Sequence, residues 1–297
     1  MLYIAQKHKQ NGELPVSTFL TDKQKAFFNQ KVAFITGTSR GIGRETALAL
    51  AALGVKVALI SKTKEPHPRL SGTIESVRAE VAQINGAENV IAIQTDIRDE
   101  VAVQKAIAQT VEAFGGIDFL INNASAIKWA NTQQLSMKDF DLMHQVNTRG
   151  TFLCAKHCIP YLQKSTSGRI LTFCPPLNLQ PKWFKDYLGY SISKYGMSLC
   201  TLGLAEELRE MGIAVNALWP KTMIATAAIE FNFPKAWLEK SRVPKIMSDA
   251  VSVVLSYPNE VTGKFLVDEL VLEEAGVRDF GDYAVNKSME LLPDIFL

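Results

Sequence analysis

From Lys31 onward, short apolar segments rich in β-branched residues alternate with longer segments in which apolar residues recur at helical spacing. This alternation is typical of βαβ units, whose parallel strands are covered by helices on both faces. Because crossovers between parallel strands are right-handed, such units build a doubly wound sheet. The predicted strands are residues 31–36, 55–61, 90–95, 117–122, 169–174, 213–219 and 264–268. The predicted helices are residues 43–53, 73–84, 99–114, 136–162 with an interruption near Asn147, and 190–210.

The pattern therefore predicts an α/β fold, a single Rossmann-like domain with a doubly wound, seven-stranded parallel sheet. No internal repeat or Gly/Ser/Pro-rich linker divides the chain, so residues 31–268 are expected to form one domain. Residues 1–30 are expected to be an arm, with an amphipathic stretch around Phe19, Phe27 and Phe28 that packs on the body or on a neighbouring subunit. Residues 269–297 are expected to be a tail packed on the same domain.

Composition excludes several classes of function. The chain has 32 basic and 30 acidic side chains, a net charge of +2, which gives no reason to expect nucleic acid as a partner. No apolar run approaches the roughly 20 residues of a membrane span. Four cysteines are too few for a disulfide framework at this length, and no signal peptide is evident. We therefore expect a cytoplasmic protein, with an organellar matrix left open.

A glycine-rich turn follows the first predicted strand, in the sequence Thr36-Gly37-Thr38-Ser39-Arg40-Gly41-Ile42-Gly43. Glycines let the backbone approach a pyrophosphate, and the N-terminus of the following helix supplies N–H donors. The spacing G-x-x-x-G-x-G differs from the commoner dinucleotide fingerprint, and three glycines can also form a plain tight turn. The position between a strand and a helix at the start of a βαβ series favours nucleotide binding.

The end of the second strand, Leu59-Ile60-Ser61-Lys62-Thr63, bears on the type of nucleotide. A site for NAD usually carries a carboxylate here, which binds the ribose hydroxyls. None is present, and Lys62 together with Arg40 can pair with a 2′-phosphate through charge-assisted hydrogen bonds. The sequence therefore predicts NADP(H). The alternative is that both residues are solvated surface cations.

Tyr190 and Lys194 begin the long helix that follows the fifth strand. Side chains at positions i and i+4 lie on one helical face, so the ammonium group can lie near the phenol. A nearby cation favours the phenolate and lowers its pKa, which suits the phenol for acid–base catalysis. With seven tyrosines in the chain, Tyr-x-x-x-Lys alone is weak evidence, and its place after the fifth strand gives it weight.

Several motifs together resemble the short-chain dehydrogenase/reductase family in their order and spacing. They are Thr36-Gly37-x-x-x-Gly41-x-Gly43, Asn122-Asn123-Ala124-Ser125, Asn147 and Tyr190-x-x-x-Lys194. The resemblance covers about residues 31–268. Segments 62–68, 175–179 and 217–222 are similar to the hydroxysteroid dehydrogenase-like 2 type within that family, and we expect this chain to be without the sterol-carrier-like domain of animal members.

The resemblance implies an NADP(H)-dependent oxidoreductase that transfers hydride between the nicotinamide and a carbonyl or secondary alcohol carbon. The resemblance implies that Tyr190 is the general acid or base of the reaction and that Lys194 lowers the pKa of Tyr190 and holds the nicotinamide ribose. It also implies that Asn147 keeps a water in the proton relay. The resemblance further implies that Asp96 and Ile97 flank the adenine. Residues implied at the ribose and nicotinamide are Asn123, Ala124, Pro220, Ile224 and Thr226, with Lys221 in place of the glycine usual after that proline.

One departure from the family pattern concerns the catalytic serine at the end of the fifth strand. Pro175 stands at that position and offers no donor, so two nearby groups are candidates to replace it, the thiol of Cys174 and the amide of Asn178. Asn178 is favoured because its amide is the stronger donor. The missing serine also leaves a second hypothesis, a non-catalytic NADP(H)-binding sensor or assembly protein.

Aromatic residues near Tyr190 in the sequence suggest an apolar substrate pocket, formed by Trp183, Phe184, Tyr187 and Trp219. The alternative is that these side chains are ordinary core filling.

Cys154, His157 and Cys158 share a helical face but lack a fourth ligand, so no metal site is predicted.

The family resemblance implies a homodimer or homotetramer through the helices that begin near Arg149 and Tyr190, and a small-molecule substrate as the principal partner.

Overall fold

The computed structural model describes residues 19–66 and 70–297. Seven strands form its sheet: β1 Val32–Thr36, β2 Lys56–Ser61, β3 Val90–Gln94, β4 Phe119–Asn122, β5 Arg169–Thr172, β6 Ala214–Trp219 and β7 Phe265–Val267. All six strand pairs are parallel, in the order β3-β2-β1-β4-β5-β6-β7, which confirms the predicted sheet. The direction of winding reverses between β1 and β4, where open α/β sheets bind their ligands at the carboxyl ends of the strands.

Eleven α-helices occur in the described residues. They are α1 Asp22–Phe28, α2 Gly41–Ala52, α3 Ile74–Asn85, α4 Glu100–Phe114, α5 Met137–Met143, α6 Gly150–Leu162, α7 Leu188–Glu207, α8 Ala227–Asn232, α9 Ala236–Glu239, α10 Lys245–Leu255 and α11 Asp268–Glu274. A π-helical segment, His144–Arg149, joins α5 to α6 and is the interruption expected near Asn147. No described helix is long and apolar enough to cross a membrane.

The core lies in two layers, one on each face of the sheet. Ala33 and Ile35 of β1 pack in the layer that contains α2 and α10, whereas Phe34 packs in the layer that contains α4, α6 and the end of α7. Every residue of β1 is buried, as expected for a strand covered by helices on both sides. Strand β5 ends two residues earlier than predicted, because the amide of Cys174 donates to the carbonyl of Thr172 (3.0 Å) and the next two residues, Pro175 and Pro176, have no N–H group.

Helix α1 packs against the body of the domain. Its N-terminus is fixed by a capping box between Thr21 and Gln24. The rings of Phe27 and Phe28 lie 6.0 and 6.1 Å from the ring of Phe119 in β4, and Phe28 is fully buried. Residues 1–18 of the predicted arm lie outside the described residues.

The C-terminal segment, residues 275–297, returns along the loop that follows β6. The amide of Met223 in that loop donates to the carbonyl of Leu292 (3.0 Å), and Thr222 forms an antiparallel bridge with Pro293. Phe296, the second residue from the end, is fully buried. The tail thereby reaches the carboxyl edge of the sheet.

Candidate active site

Two adjacent cavities lie at the carboxyl edge of the sheet. The glycine-loop cavity, of about 350 Å³, is lined by the turn after β1 and by the ends of β2, β3 and β4. The tyrosine cavity, of about 180 Å³, is lined by Tyr190, Lys194 and apolar side chains. Both share Ile42, Asn123, Ser125, Thr226 and Ala228 as wall residues. A ligand in one cavity can therefore contact a second ligand in the other.

Close packing explains the glycines of the turn. Gly37 and Gly41 have φ angles of 74° and 57°, which favour glycine. A Cβ atom on Gly43 would lie 2.4 Å from the carbonyl oxygen of Gly37 and 2.4 Å from Nδ2 of Asn123. That Nδ2 donates to the carbonyls of Thr36 (2.8 Å) and Gly37 (2.9 Å). Asn123 thus ties the turn to the end of β4, and Gly43 lies behind the cavity wall.

The turn leaves polar groups that suit a phosphate. Helix α2 begins at Gly41, and the side chain of the N-cap residue Arg40 makes no capping hydrogen bond. The first N–H groups of the helix thus lack a side-chain acceptor, and a pyrophosphate can accept from them. The buried Oγ1 of Thr38 has no hydrogen-bond partner among the described residues. The donor set fits a dinucleotide pyrophosphate.

The predicted cofactor residues that line the glycine-loop cavity are Gly37, Ser39, Arg40, Gly41, Ile42, Lys62, Asp96, Ile97, Asn123, Ala124 and Thr226. Arg40 donates through Nε to the carbonyl of Ser71 (3.0 Å) and through Nη2 to that of Gly72 (3.0 Å), while Lys62 is exposed. Partial burial lowers the pKa of Arg40. The two cations predicted to meet a 2′-phosphate therefore belong to one cavity wall.

Asp96 follows β3 and is paired with Arg98. Nε of Arg98 lies 2.9 and 3.0 Å from the two carboxylate oxygens, and these hydrogen bonds lower the pKa of Asp96. The side chain is held as a carboxylate beside Ile97, which is itself buried. Asp96 and Ile97 both line the glycine-loop cavity.

Tyr190 and Lys194, one turn apart in α7, both line the tyrosine cavity. Nζ of Lys194 donates to the carbonyl of Phe173 (2.6 Å) and lies 5.1 Å from the ring centre of Trp219. Burial lowers the pKa of Lys194 to about 8. Burial also raises the pKa of Tyr190, and the negative charge of Asp294 raises it further. The expected lowering of the phenol pKa is therefore not seen, because desolvation dominates.

Asn147 lies in the π-helical segment and is fully buried. Its Oδ1 accepts from the amide of Ala126 (2.7 Å), and its Nδ2 donates to the carbonyl of Ala126 (2.9 Å) and to Oγ of Ser193 (2.9 Å). That hydroxyl in turn donates to the carbonyl of Tyr190 (2.8 Å). Asn147 thereby connects the loop after β4 to the first turn of α7.

Neither candidate for the missing serine lines the tyrosine cavity. Cys174 is fully buried, and its Sγ lies 3.5 Å from Oγ1 of Thr201. Oδ1 of Asn178 accepts from the amide of Gln180 (3.2 Å), and the Asn178 carbonyl accepts from the hydroxyl of Tyr195 (2.6 Å). Neither Cys174 nor Asn178 is therefore part of the cavity that holds Tyr190.

The loop after β6 contributes Pro220, Ile224 and Thr226, which the resemblance implies at the nicotinamide, to the wall of the tyrosine cavity. Lys221, which stands where the family has glycine, fixes this loop. Its amide donates to Oδ1 of Asp268 (2.8 Å), and its ammonium group pairs with Glu269. The unusual lysine therefore connects the loop to the start of α11.

The apolar wall differs from the one predicted. Trp219 lines the tyrosine cavity, whereas Trp183, Phe184 and Tyr187 do not and pack in the cluster that contains Phe296. Trp129, which is stacked on Tyr187 at 4.0 Å, and Phe233, 5.0 Å from Trp129, line the cavity instead. Both come from loops whose sequences carry no regular pattern, so sequence reasoning missed them.

Sequence reasoning also missed Asp294. This residue lines the tyrosine cavity, and its amide donates to the carbonyl of Lys221 (3.0 Å). Burial raises the pKa of Asp294 to about 8, and the hydrogen bond that its Oδ1 accepts from the amide of Ile295 (2.7 Å), together with the positive charge of Lys194, counteracts part of that rise. The cavity therefore holds a carboxyl group from the tail together with Tyr190 and Lys194.

Cys154 and Cys158 are fully buried in the core, and Nε2 of His157 lies 3.0 Å from Oε1 of Glu100. Among the described residues, no three His, Cys, Asp or Glu side chains are grouped so that they could hold a metal ion.

Known proteins resemble this chain in sequence and in fold. Hydroxysteroid dehydrogenase-like protein 2 of Xenopus tropicalis is 48% identical over 264 residues, which are 89% of this chain and 63% of that relative. The chain thus spans less than two thirds of the length of that relative. A crystal structure of a protein from Xanthomonas campestris has a TM-score of 0.88 at 47% identity, covering 91% of this chain and 98% of that one. A short chain dehydrogenase from Mycobacterium thermoresistibile has a TM-score of 0.85 at 44% identity, covering 91% and 96%.

The family model described as short chain dehydrogenase matches residues 31–235, the part of the chain that carries the glycine turn, Asn147, Tyr190 and Lys194. The chain belongs to the short-chain dehydrogenase family.

Proposed function

We propose that this protein is an NADP(H)-dependent oxidoreductase that transfers hydride between the nicotinamide and a carbonyl or secondary alcohol carbon of an apolar substrate. The observation that carries the proposal is the shared wall between the tyrosine cavity, which holds Tyr190 and Lys194, and the glycine-loop cavity. Family membership implies a nicotinamide cofactor, NAD or NADP, and a small-molecule substrate. The preference for NADP, the role of Tyr190 and the type of substrate are our proposals.

The glycine-loop cavity supplies the binding interactions. The open N-terminus of α2 donates to the pyrophosphate, and Arg40 with Lys62 pairs with the 2′-phosphate. Asp96 and Ile97 flank the adenine, and Asn123 and Ala124 line the ribose. When bound, the nicotinamide supplies or accepts the hydride.

Tyr190 carries the proton. Its raised pKa keeps the phenol protonated at neutral pH, which is the form that a carbonyl reduction requires, because the carbonyl oxygen must receive a proton. Lys194, one turn further along α7, places an ammonium group at the wall that the ribose would contact. Asn147 positions the first turn of α7 through Ser193.

The walls of the tyrosine cavity favour an apolar substrate. They consist mainly of aromatic and aliphatic side chains, among them Trp129, Trp219, Ile229 and Phe233. Such walls exclude water and contribute to affinity through burial of apolar surface.

We also propose a homodimer or homotetramer. Helices α6 and α7 expose large apolar side chains, namely Phe152, Ile192, Leu199 and Leu202. An apolar set on two neighbouring helices is typical of a surface that is covered by another chain.

All four cysteines are free thiols, which suits a reducing compartment such as the cytoplasm.

Titration with NADPH and NADH tests the cofactor proposal. Loss of one charge-assisted hydrogen bond costs roughly 1.5–3 kcal/mol, so Arg40→Ala and Lys62→Ala should each weaken NADPH binding by about 10- to 100-fold. Neither substitution should change the Kd of NADH. The control is Lys105→Ala, which replaces an exposed lysine on α4 and should change neither the Kd of NADPH nor that of NADH. Equal affinity of the wild type for NADPH and NADH would refute the preference for NADP.

A panel of apolar ketones, aldehydes and secondary alcohols tests the reaction itself. Pro175, which stands where the family has a catalytic serine, favours the second candidate, a non-catalytic NADP(H)-binding sensor. Turnover that depends on Tyr190 supports the enzyme, and tight NADPH binding without turnover on any member of the panel supports the sensor.

A further inference from the structure

Few polar groups in the tyrosine cavity remain to bind a substrate oxygen. Its polar wall residues are Asn123, Ser125, Tyr190, Lys194, Thr226 and Asp294. The amide of Asn123 is bound to the turn after β1, and Lys194 donates to the carbonyl of Phe173. Ser125 and Thr226 also line the glycine-loop cavity and so lie where the two cavities meet. Tyr190 and Asp294 remain, since both line only the tyrosine cavity, and the Asp294 carboxyl, whose Oδ1 accepts from the amide of Ile295 (2.7 Å), leaves its other oxygen for a ligand.

Asp294 is held in place from both sides. On one side its amide donates to the carbonyl of Lys221 (3.0 Å), next to the bridge between Thr222 and Pro293. On the other side the carbonyl of Ile295 accepts from Nε1 of Trp219 (2.9 Å), and Phe296 is buried among aromatic rings. Because backbone hydrogen bonds and a buried side chain fix both neighbours, the carboxyl group is presented to the cavity on a rigid segment.

The charges around Asp294 favour its neutral form. Burial and the negative charge of Asp268 raise its pKa to about 8, although the hydrogen bond that Oδ1 accepts from the amide of Ile295 (2.7 Å) and the positive charge of Lys194 act in the opposite direction. Asp268 is itself fully buried, and its own pKa is raised to about 6. A neutral carboxyl group is an O–H donor, whereas a carboxylate only accepts and would repel the charge that develops on a carbonyl oxygen during reduction.

We propose that Asp294, as a neutral carboxylic acid, donates a hydrogen bond to the substrate oxygen that Tyr190 protonates. It would supply from the C-terminal segment the donor that Pro175 lacks. As the carbonyl carbon accepts hydride, the electron pair of the C=O π bond moves to the oxygen, Tyr190 transfers its proton there, and Asp294 keeps its own. This inference rests on the proposed oxidoreductase function.

Two substitutions at Asp294 separate donation from packing. Asp294→Leu removes the donor and keeps the branching at Cγ, and Asp294→Asn keeps an N–H donor without a titrating group. Loss of one donor to a developing oxyanion costs roughly 10²–10³ in kcat, so the kcat of Asp294→Leu should fall by about that factor. The assay uses NADPH and the ketone that the wild type reduces fastest among cyclohexanone, acetophenone and 2-decanone. Asp294→Asn should regain most of the loss. Glu290→Leu, an exposed carboxylate of the same tail, should match the wild type.

The Kd of NADPH, measured on every variant, shows that the fold and the glycine-loop cavity are intact and should not change. Wild-type turnover by Asp294→Leu, or equal losses in Asp294→Asn and Asp294→Leu, would overturn the role of Asp294 and leave the oxidoreductase function standing. Absence of turnover in the wild type on the whole panel would overturn both.

Infrared spectroscopy tests the protonation state without any turnover. The difference spectrum between the wild type and Asp294→Asn at neutral pH should contain the C=O stretch of a protonated carboxyl group. A difference spectrum with carboxylate bands only would overturn the proposal.

Discussion

Phe296 is predicted to hold the C-terminal segment, and Asp294 with it, in the active site. Its ring is fully buried and lies 5.3 Å from the ring of Tyr195, 5.8 Å from that of Trp219 and 6.5 Å from that of Tyr190. Replacing a buried Phe by Ala costs about 3–5 kcal/mol. Because residues 275–297 contain no α-helix or β-strand, this segment can detach while the sheet stays folded, so the loss appears mainly as local opening.

Each factor of ten in an equilibrium constant corresponds to about 1.4 kcal/mol, so Phe296→Ala should raise the detached fraction by roughly a hundredfold to a few thousandfold. Hydrogen exchange measures this fraction directly. The amides of Met223 and Asp294, which donate to carbonyls across the tail and the loop after β6, should exchange faster by up to that factor. The amides of β1 should not change.

Leu297→Ala, which truncates the neighbouring and partly exposed side chain, is the matched control and should leave exchange nearly unchanged. If Phe296→Ala leaves the exchange of the Asp294 amide at the wild-type rate, the aromatic cluster does not hold the tail. The carboxyl group of Asp294 is then not held in the cavity by these rings.

Three further predictions concern the glycine turn, the tail carboxyl group and the oligomer. Gly43→Ala should abolish tight NADPH binding, because its Cβ atom would clash at 2.4 Å, whereas Gly203→Ala, with no atom within 4 Å, should leave the Kd unchanged. The folded pKa of Asp294, about 8, exceeds the ordinary value of about 3.9, so the folded state binds the extra proton and stability falls as pH rises between these values. Asp294→Asn should therefore flatten the decline of the free energy of unfolding in that range, measured by urea denaturation, and an unchanged slope would contradict the raised pKa. Leu199→Glu places a charge in the proposed oligomer interface and should lower the mass measured by analytical ultracentrifugation. Val101→Glu, on the exposed face of α4, should not change this mass.

The repeating part of the fold could be predicted because each βαβ unit carries its own local signal. Strand β1 is a run of buried apolar residues, and the glycine turn after it is required by close contacts that only glycine permits. The interruption predicted near Asn147 coincides with the π-helical segment. These features depend on residues that are close together in the sequence.

The parts of the site that escaped prediction depend on contacts between distant residues. Asp294 lies in a segment without regular secondary structure, and it reaches Lys194 only because the tail hydrogen-bonds to the loop after β6. Nothing in the neighbouring sequence indicates that contact. The same holds for Cys174 and Asn178, which are near Tyr190 in the sequence but outside its cavity. Spacing along the chain did not reveal which way β5 would turn after Pro175.

The pKa of Tyr190 shows a similar limit. The i, i+4 spacing correctly placed Lys194 on the same helical face, but the expected effect on the phenol assumed a solvated pair. In the structure both groups are buried, and desolvation raises one pKa and lowers the other. The spacing indicated the partners, and burial decides their protonation.

The most direct test of the central claim follows a labelled hydride. NADPH deuterated at nicotinamide C4 is incubated with the ketone panel, and the alcohol products are examined by mass spectrometry. We predict deuterium on the carbinol carbon with the wild type and a rate lower by about 10²–10⁴ with Tyr190→Phe, whose Kd for NADPH should be unchanged. Tight NADPH binding with no deuterium in any product, or labelling by Tyr190→Phe at the wild-type rate, would contradict the account.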